Sequence, residues 1–147
     1  MKGLNIIAVF NKEHTHVLMC RRSKEPYKDK YNFVGGKIES GEDGLFAAYR
    51  ELEEETGITK SDISLTRFID FTYYHWDIRL ELYVGRLDKD FTVHGDENDL
   101  FWIPLTADFF SINSFAGEGN IGHMMLQIEM AKDKLFGEQK HRLYRVI

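Results

Sequence analysis

Three glutamates, Glu51, Glu54 and Glu55, sit at positions i, i+3 and i+4 of a stretch with helical periodicity. That spacing places their carboxylates on one helix face, directed at one point in space. Oxygen donors grouped this way suit a hard divalent cation, magnesium or manganese, which keeps some of its waters for chemistry. The same run also reads as a solvated acidic face, the ordinary use of charged helical residues. Two penalties weigh against that use. Glu51 and Glu55 form a like-charge i, i+4 pair, destabilising by roughly 0.2–0.5 kcal/mol. The cluster also precedes Gly57, the expected helix terminator, where the macrodipole disfavours anions. Arg50 is the local compensation, so a cation from outside the chain is the expected neutraliser.

The segment that must position these groups lies just upstream. Asn32-Phe33-Val34-Gly35-Gly36-Lys37-Ile38-Glu39-Ser40-Gly41-Glu42 reads as a strand end, a glycine turn and a second turn leading into a helix over 42–56. Ser40 is the expected N-cap, with Asp43 three residues on in a weak capping box. Leu45, Ala48, Tyr49 and Leu52 recur at helical spacing and form the expected buried stripe. The glutamate face then points at the glycine turn. Gly35 and Gly36 have no side chain to keep their backbone carbonyls from the same ion.

Taken together, Gly36, five residues, Glu42, seven residues, Arg50-Glu51-Leu52, one residue, Glu54-Glu55, one residue and Gly57-Ile58 resemble a complete Nudix box over 36–58, with every fixed position filled. The resemblance implies an α/β fold, an α/β/α sandwich with a mixed β-sheet between helices. It implies a MutT-like hydrolase that cleaves a nucleoside diphosphate linked to another moiety. The metal, Mg2+ or Mn2+, is expected on Glu51, Glu54, Glu55 and Gly35, with Arg50 orienting the glutamates through bidentate hydrogen bonds. In many relatives of this kind a further carboxylate from a distant loop completes the site. Glu97, in His94-Gly95-Asp96-Glu97-Asn98-Asp99, is the candidate here, with Asp96 beside it; an ordinary acidic turn competes with that reading.

Substrate contacts are expected from Asn32, Lys37, Arg21 and Glu118. Asn32 stands as in family members that act on oxidised purine nucleoside triphosphates, and Lys37 follows the glycine turn. Tyr73, Tyr74 and Trp76 lie where dinucleoside polyphosphate hydrolases of the family carry a tyrosine, although strand aromatics more often pack. Glu118 and Asn120 precede the last helix, where capping is the competing use. The expected reaction converts a nucleoside triphosphate, normal or oxidised, to monophosphate and pyrophosphate. Dinucleoside polyphosphates, nucleotide sugars and ADP-ribose are alternative substrates, and a noncatalytic nucleotide-binding module is the alternative of another class.

The chain as a whole fits this reading. Its 147 residues suffice for a single domain over 1–147. A net charge of −5 argues against binding a nucleic acid polymer, which needs a basic patch. The same charge requires Lys37, Arg21 and Arg22, together with the metal, to attract a polyphosphate. No apolar run is long enough for a membrane span, and the first ten residues lack the character of a cleaved signal peptide. Lone Cys20 is expected to be a buried strand residue in a reducing, cytoplasmic setting. The expected partner is a small nucleotide, acted on by a monomer or homodimer, with no membrane involved. Strands are expected at 4–10, 15–21, 31–34, 63–74, 78–87 and 100–105, and a second helix at 120–136 with Ile121, Met124, Met125, Ile128, Ala131 and Leu135 inward. His14 and His16 would share a strand face, too few ligands for zinc.

Overall fold

The computed structural model describes residues 1–93 and 99–137. Its elements run β1 (Lys2–Phe10), β2 (His16–Arg21), β3 (Tyr31–Lys37), α1 (Gly44–Thr56), β4 (Thr66–Tyr73), β5 (Ile78–Arg86), β6 (Asp99–Pro104), α2 (Asn120–Met130) and α3 (Lys132–Phe136). The strands form one mixed sheet in the order β4-β5-β1-β3-β2-β6. β1 and β5 are parallel, from Lys2 opposite Ile78 to Phe10 opposite Arg86, and the other pairings are antiparallel. Helices lie on both faces, as the α/β expectation requires.

Covering both faces explains why β1 reads Ile6-Ile7-Ala8-Val9-Phe10 without polar interruption, because a strand buried on both sides loses the alternation of a half-exposed one. Ile7 and Val9 pack with Ala48 and Leu52 of α1. Ala8 and Phe10 pack with Ile121, Met124, Met125 and Ile128 of α2. The methionine stripe is therefore core, as its spacing predicts. Cys20 is a free thiol, buried at 6% exposure, and burial pushes its pKa up to about 11.

Several boundaries differ from the sequence reading, each for a physical reason. β3 does not end at 34 but continues through Gly35 and Gly36, paired with Ile6 and Asn5 of β1. The glycines are needed inside the strand: at φ +152° a Cβ on Gly35 would collide with the Asn5 carbonyl. The N-cap of α1 is Asp43, whose Oδ2 accepts from the Leu45 and Phe46 N–H groups at 3.1 and 3.2 Å. Ser40 lies too far upstream to reach the first turn. Starting at Gly44 shifts the buried face to Ala47, Ala48, Leu52 and Thr56, and leaves Leu45 41% exposed.

Gly57 ends α1 in the left-handed conformation, as expected. β4 begins at Thr66, since Ile63 and Leu65 are drawn into the core beside α1 instead of the ladder. The second helix divides at Ala131. His14 occupies a tight turn at φ 57°, off the strand that His16 begins, with its ring stacked on Phe10.

The cap assignment is open to measurement. Asp43→Ala should lower unfolding stability by about 1 kcal/mol, and Ser40→Ala should stay within about 0.5 kcal/mol, both by urea denaturation. The reverse ranking would return the N-cap to Ser40.

Candidate active site

α1 lies against β3 where β3 has no side chains. A Cβ on Gly36 would collide with the carboxyl group of Glu51, so that carboxyl rests directly on the glycine. One turn along, Glu55 Oε1 accepts the Gly35 N–H at 2.8 Å. The helix thus delivers Glu51 and Glu55 to adjacent residues of one strand.

Arg50 ties the remaining acids together. Its Nε and Nη2 donate to Glu42 Oε2 and Oε1 at 2.7 and 2.9 Å, a bidentate pair. Nη1 donates to Glu51 Oε2 at 3.1 Å and Glu54 Oε1 at 3.3 Å. Nη2 also donates to the Lys37 carbonyl at 3.0 Å, which joins the helix to the end of β3. Hydrogen bonding to Arg50 holds the Glu42 carboxyl below the usual carboxylate range. Glu51 moves the other way. Burial pushes its pKa up against the pull of Arg50, and Glu54 and Glu39 add repulsion.

A cleft of about 310 Å³ opens beside this helix, with Gly35, Gly36 and Glu55 at one end. Asn32, Tyr73, Trp76, Glu118 and Asn120 line the rest of it. The volume is that of a small-molecule site. Glu118 Oε1 accepts from the Tyr27 hydroxyl at 2.8 Å, and Asn120 Nδ2 donates to the Tyr73 hydroxyl at 3.0 Å. Gly119 caps α2 without any side-chain hydrogen bond, so neither Glu118 nor Asn120 is engaged in capping. Asn32 Oδ1 accepts the adjacent Phe33 N–H at 2.8 Å. The Tyr73 and Trp76 rings lie 5.5 Å apart.

The structure sorts the expected site residues. Glu55, Gly35, Asn32 and Glu118 line the cleft; the Glu51 carboxyl lies against Gly36, which also lines it, while Arg50 and Glu54 line a separate hollow with Tyr49 and Lys60 and reach Glu51 through the arginine clamp. Lys37 is exposed at the end of β3. Arg21 does not line the cleft; it pairs with Asp99 at 3.8 Å and covers the Phe101 ring, while Arg22 lines the cleft with Cys20. The two-residue period of a strand accounts for this, since Cys20 and Arg22 share a face that Arg21 leaves. Glu97 and Asp96 lie outside the described residues. Asn5 and Tyr27 enter the site unanticipated. Asn5 had a signal, a polar residue at the head of an apolar run, whereas Tyr27 meets Glu118 across 91 positions of sequence and had none.

Whether these residues suit a divalent ion can be tested on their arrangement. Among the described residues no three Asp, Glu, His or Cys side chains converge closely enough to hold one. The single convergence point expected from helical spacing is not preformed, because Arg50 and the Gly35 N–H turn the carboxylates onto protein donors. The chemistry of the set nevertheless fits a hard cation. Its donors are carboxylate oxygens, and burial holds the Glu51 pKa above the usual carboxylate range despite Arg50. In addition, the Asn5 amide nitrogen beside Gly36 is buried with no partner among the described residues, a state costing roughly 1–3 kcal/mol.

Comparison with known proteins shows the family. The family model described as NUDIX domain matches residues 1–111. The chain is similar to the 8-oxo-dGTP diphosphatase of Escherichia coli K12, at 36% identity over 75 residues, covering 50% of this chain and 58% of that protein. It is also similar to the RNA pyrophosphohydrolase of Vibrio atlanticus, at 30% identity over 115 residues, covering 78% of this chain and 63% of that protein. The matches thus span less than two thirds of these curated relatives. A solved MutT structure, from work on Aliivibrio salmonicida and Vibrio cholerae, superposes with TM-score 0.65 at 24% identity, over 86% of this chain and 98% of that one, and shows the shared fold.

The clamp predicts an asymmetry in stability. Arg50→Met should lower the urea midpoint at neutral pH, because Glu42 loses its bidentate partner and the Lys37 carbonyl its donor. Glu54 is 59% exposed, and Glu54→Gln should leave the midpoint unchanged. Equal midpoints for Arg50→Met and the unaltered chain would remove Arg50 as the organiser of this cluster.

Proposed function

Because the chain belongs to the NUDIX domain family, we propose that it is a metal-dependent pyrophosphohydrolase that converts a nucleoside triphosphate to monophosphate and pyrophosphate. One observation carries the reading. A single cleft joins Gly35 and the box residues Gly36 and Glu55 to aromatic and hydrogen-bonding side chains, the layout a base and its phosphates require.

Glu51, Glu54, Glu55 and the Gly35 backbone would hold Mg2+ or Mn2+. Such an ion supplies charge neutralisation on phosphate oxygens and a lowered pKa for an attacking water. The protein's own part is positional. Arg50 fixes the spacing of the glutamates, and Glu42 fixes Arg50. Lys37 and Arg22 bring positive charge near the phosphates of an otherwise acidic chain. Glu97 is proposed as the additional carboxylate, from the residues that precede β6 in the sequence.

The pocket's free valences favour a keto-purine. The Asn32 oxygen is engaged by Phe33, which leaves its amide as a donor. The Asn120 amide is engaged by Tyr73, which leaves its oxygen as an acceptor, and Glu118 keeps acceptor capacity beyond its bond to Tyr27. Acceptors beside a donor match the guanine edge, with its N–H groups and carbonyl, whether or not the ring is oxidised. The 8-oxo-dGTP diphosphatase relative is consistent with that choice.

The inward turn of the carboxylates onto Arg50 and Gly35 favours a second reading, a noncatalytic nucleotide-binding module. A hydrolysis screen over normal and oxidised dNTPs, dinucleoside polyphosphates, ADP-ribose and nucleotide sugars separates the two. We expect turnover that chelation abolishes and Mg2+ or Mn2+ restores, and that Glu54→Gln cuts on the order of 100-fold or more while the fold survives. Near-normal turnover by Glu54→Gln would refute the assignment, and inactivity on every substrate would favour the binding module.

Base choice has its own test. Glu118→Gln should lower kcat/KM for guanine nucleotides roughly tenfold relative to adenine nucleotides, the loss of one charged hydrogen bond. An equal loss for both bases would place Glu118 outside recognition.

A further inference from the structure

β1 is apolar from Ile6 to Phe10, yet position 5 holds an asparagine that is 1% exposed. Its Oδ1 accepts the Gly36 N–H at 2.9 Å. Its Nδ2 is buried and has no hydrogen-bond partner among the described residues. Buried amide donors ordinarily find an acceptor. If satisfying Gly36 were the whole task, a serine or threonine oxygen would serve without leaving an amide nitrogen orphaned.

The sheet register says where that nitrogen lies. Asn5 and Gly36 are partners across β1 and β3, and directly opposed residues project to the same face with Cβ atoms about 4.5–5.5 Å apart. On that face, the place a Gly36 Cβ would take is filled by the Glu51 carboxyl. Asn5 and Glu51 therefore flank the same glycine. Glu51 Oε2 accepts from Arg50, and its Oε1 has no such bond among the described residues. The other carboxylate within register is Glu81, opposite Asn5 on β5. Its oxygens already accept from Tyr83, Arg67 and Arg79, and Glu55 is engaged by the Gly35 N–H, so Glu51, whose carboxyl rests on the glycine opposite Asn5, is the acceptor the amide faces.

We infer that Asn5 is a positioning residue for Glu51, donating Nδ2–H to its carboxylate when a divalent cation draws that group away from Arg50. The inference rests on the metal reading above. Its logic is one of charge. A guanidinium competes with an ion for the same negative charge, whereas a neutral amide orients the carboxylate and leaves the charge to the ion. The orphaned nitrogen is then a donor whose acceptor arrives with the metal.

Two measurements on the intact chain test this. In direct Mn2+ titrations followed by electron paramagnetic resonance, Asn5→Ala should weaken affinity roughly tenfold, and should cause no further loss in a Glu51→Gln background. A merely structural role, through the bond to Gly36, would weaken both backgrounds equally and overturn the inference. The second needs no change at Asn5. The side-chain amide resonances of Asn5 should move during Mg2+ titration of the unaltered protein and stay fixed in Glu51→Gln. Saturable Mg2+ binding with those resonances unmoved would overturn the inference and leave the metal reading intact. Absence of saturable binding by either ion would remove both.

Discussion

Nothing larger than hydrogen fits at Gly35 and Gly36, and the site follows from that. On one side the backbone of β1 passes so close that a Gly35 side chain would strike the Asn5 carbonyl; on the other, the Glu51 carboxyl occupies the space a Gly36 side chain would need. α1 can therefore bring its carboxylates down to the backbone of β3 instead of standing off by the usual layer of side chains. The Gly35 N–H that meets Glu55 is exposed to it by the same absence. Glycine here is a packing requirement between a helix and two strands, beyond any freedom it brings to a turn.

Charge is the second constraint. Arg50 serves Glu42, Glu51 and Glu54 at once, and its effect depends on where each carboxylate sits. Glu42, doubly bonded to Arg50, is held ionised; Glu51, against the glycine and repelled by Glu54 and Glu39, is pushed toward protonation because burial outweighs the arginine. One cation thus leaves an uneven distribution, saturated at Glu42 and deficient at Glu51. An added divalent ion at the glycine strand would meet a carboxylate that burial already pushes toward protonation.

The periodicities of single elements were legible, and contacts between elements mostly were not. All six strands announce themselves by alternation or apolar runs, and the second helix by its methionine stripe, because each is set by a repeating local pattern. The boundaries at Ser40, Gly35 and Ala131 failed where a competing local signal, a good capping residue or a glycine pair, was read without its tertiary setting. Within the site, the glutamate spacing was visible, yet the partners those glutamates choose were not, since Arg50 and the Gly35 N–H could each be placed only once α1 was docked. Arg21 was preferred over Arg22 although strand alternation from Cys20 pointed to the latter. Tyr27 could not have been found, because its place beside Glu118 joins residues 91 positions apart in the sequence.

What remains is why α1 docks in this register and no other. Its N-terminus is fixed by Asp43, and just beneath it a side chain on Gly44 would collide with Glu81 and the Tyr83 hydroxyl. Glu81 is 2% exposed and accepts from Tyr83 at 2.6 Å, Arg79 at 2.9 Å and Arg67 at 3.1 Å, so this buried charge is held by three donors from β4 and β5. Burial, then the neighbouring Glu81, keeps the Tyr83 hydroxyl protonated and able to donate. The other end is closed by Gly57 and by Thr56, whose hydroxyl bonds the Leu52 carbonyl and accepts from Ile58. Sliding the helix by one turn would leave a buried carboxylate against a larger residue than Gly44 and take Glu51 off Gly36 at the same time. The register that satisfies Glu81 is the one that delivers Glu51, so the polar cluster under the helix start and the acidic face beyond it act as one constraint.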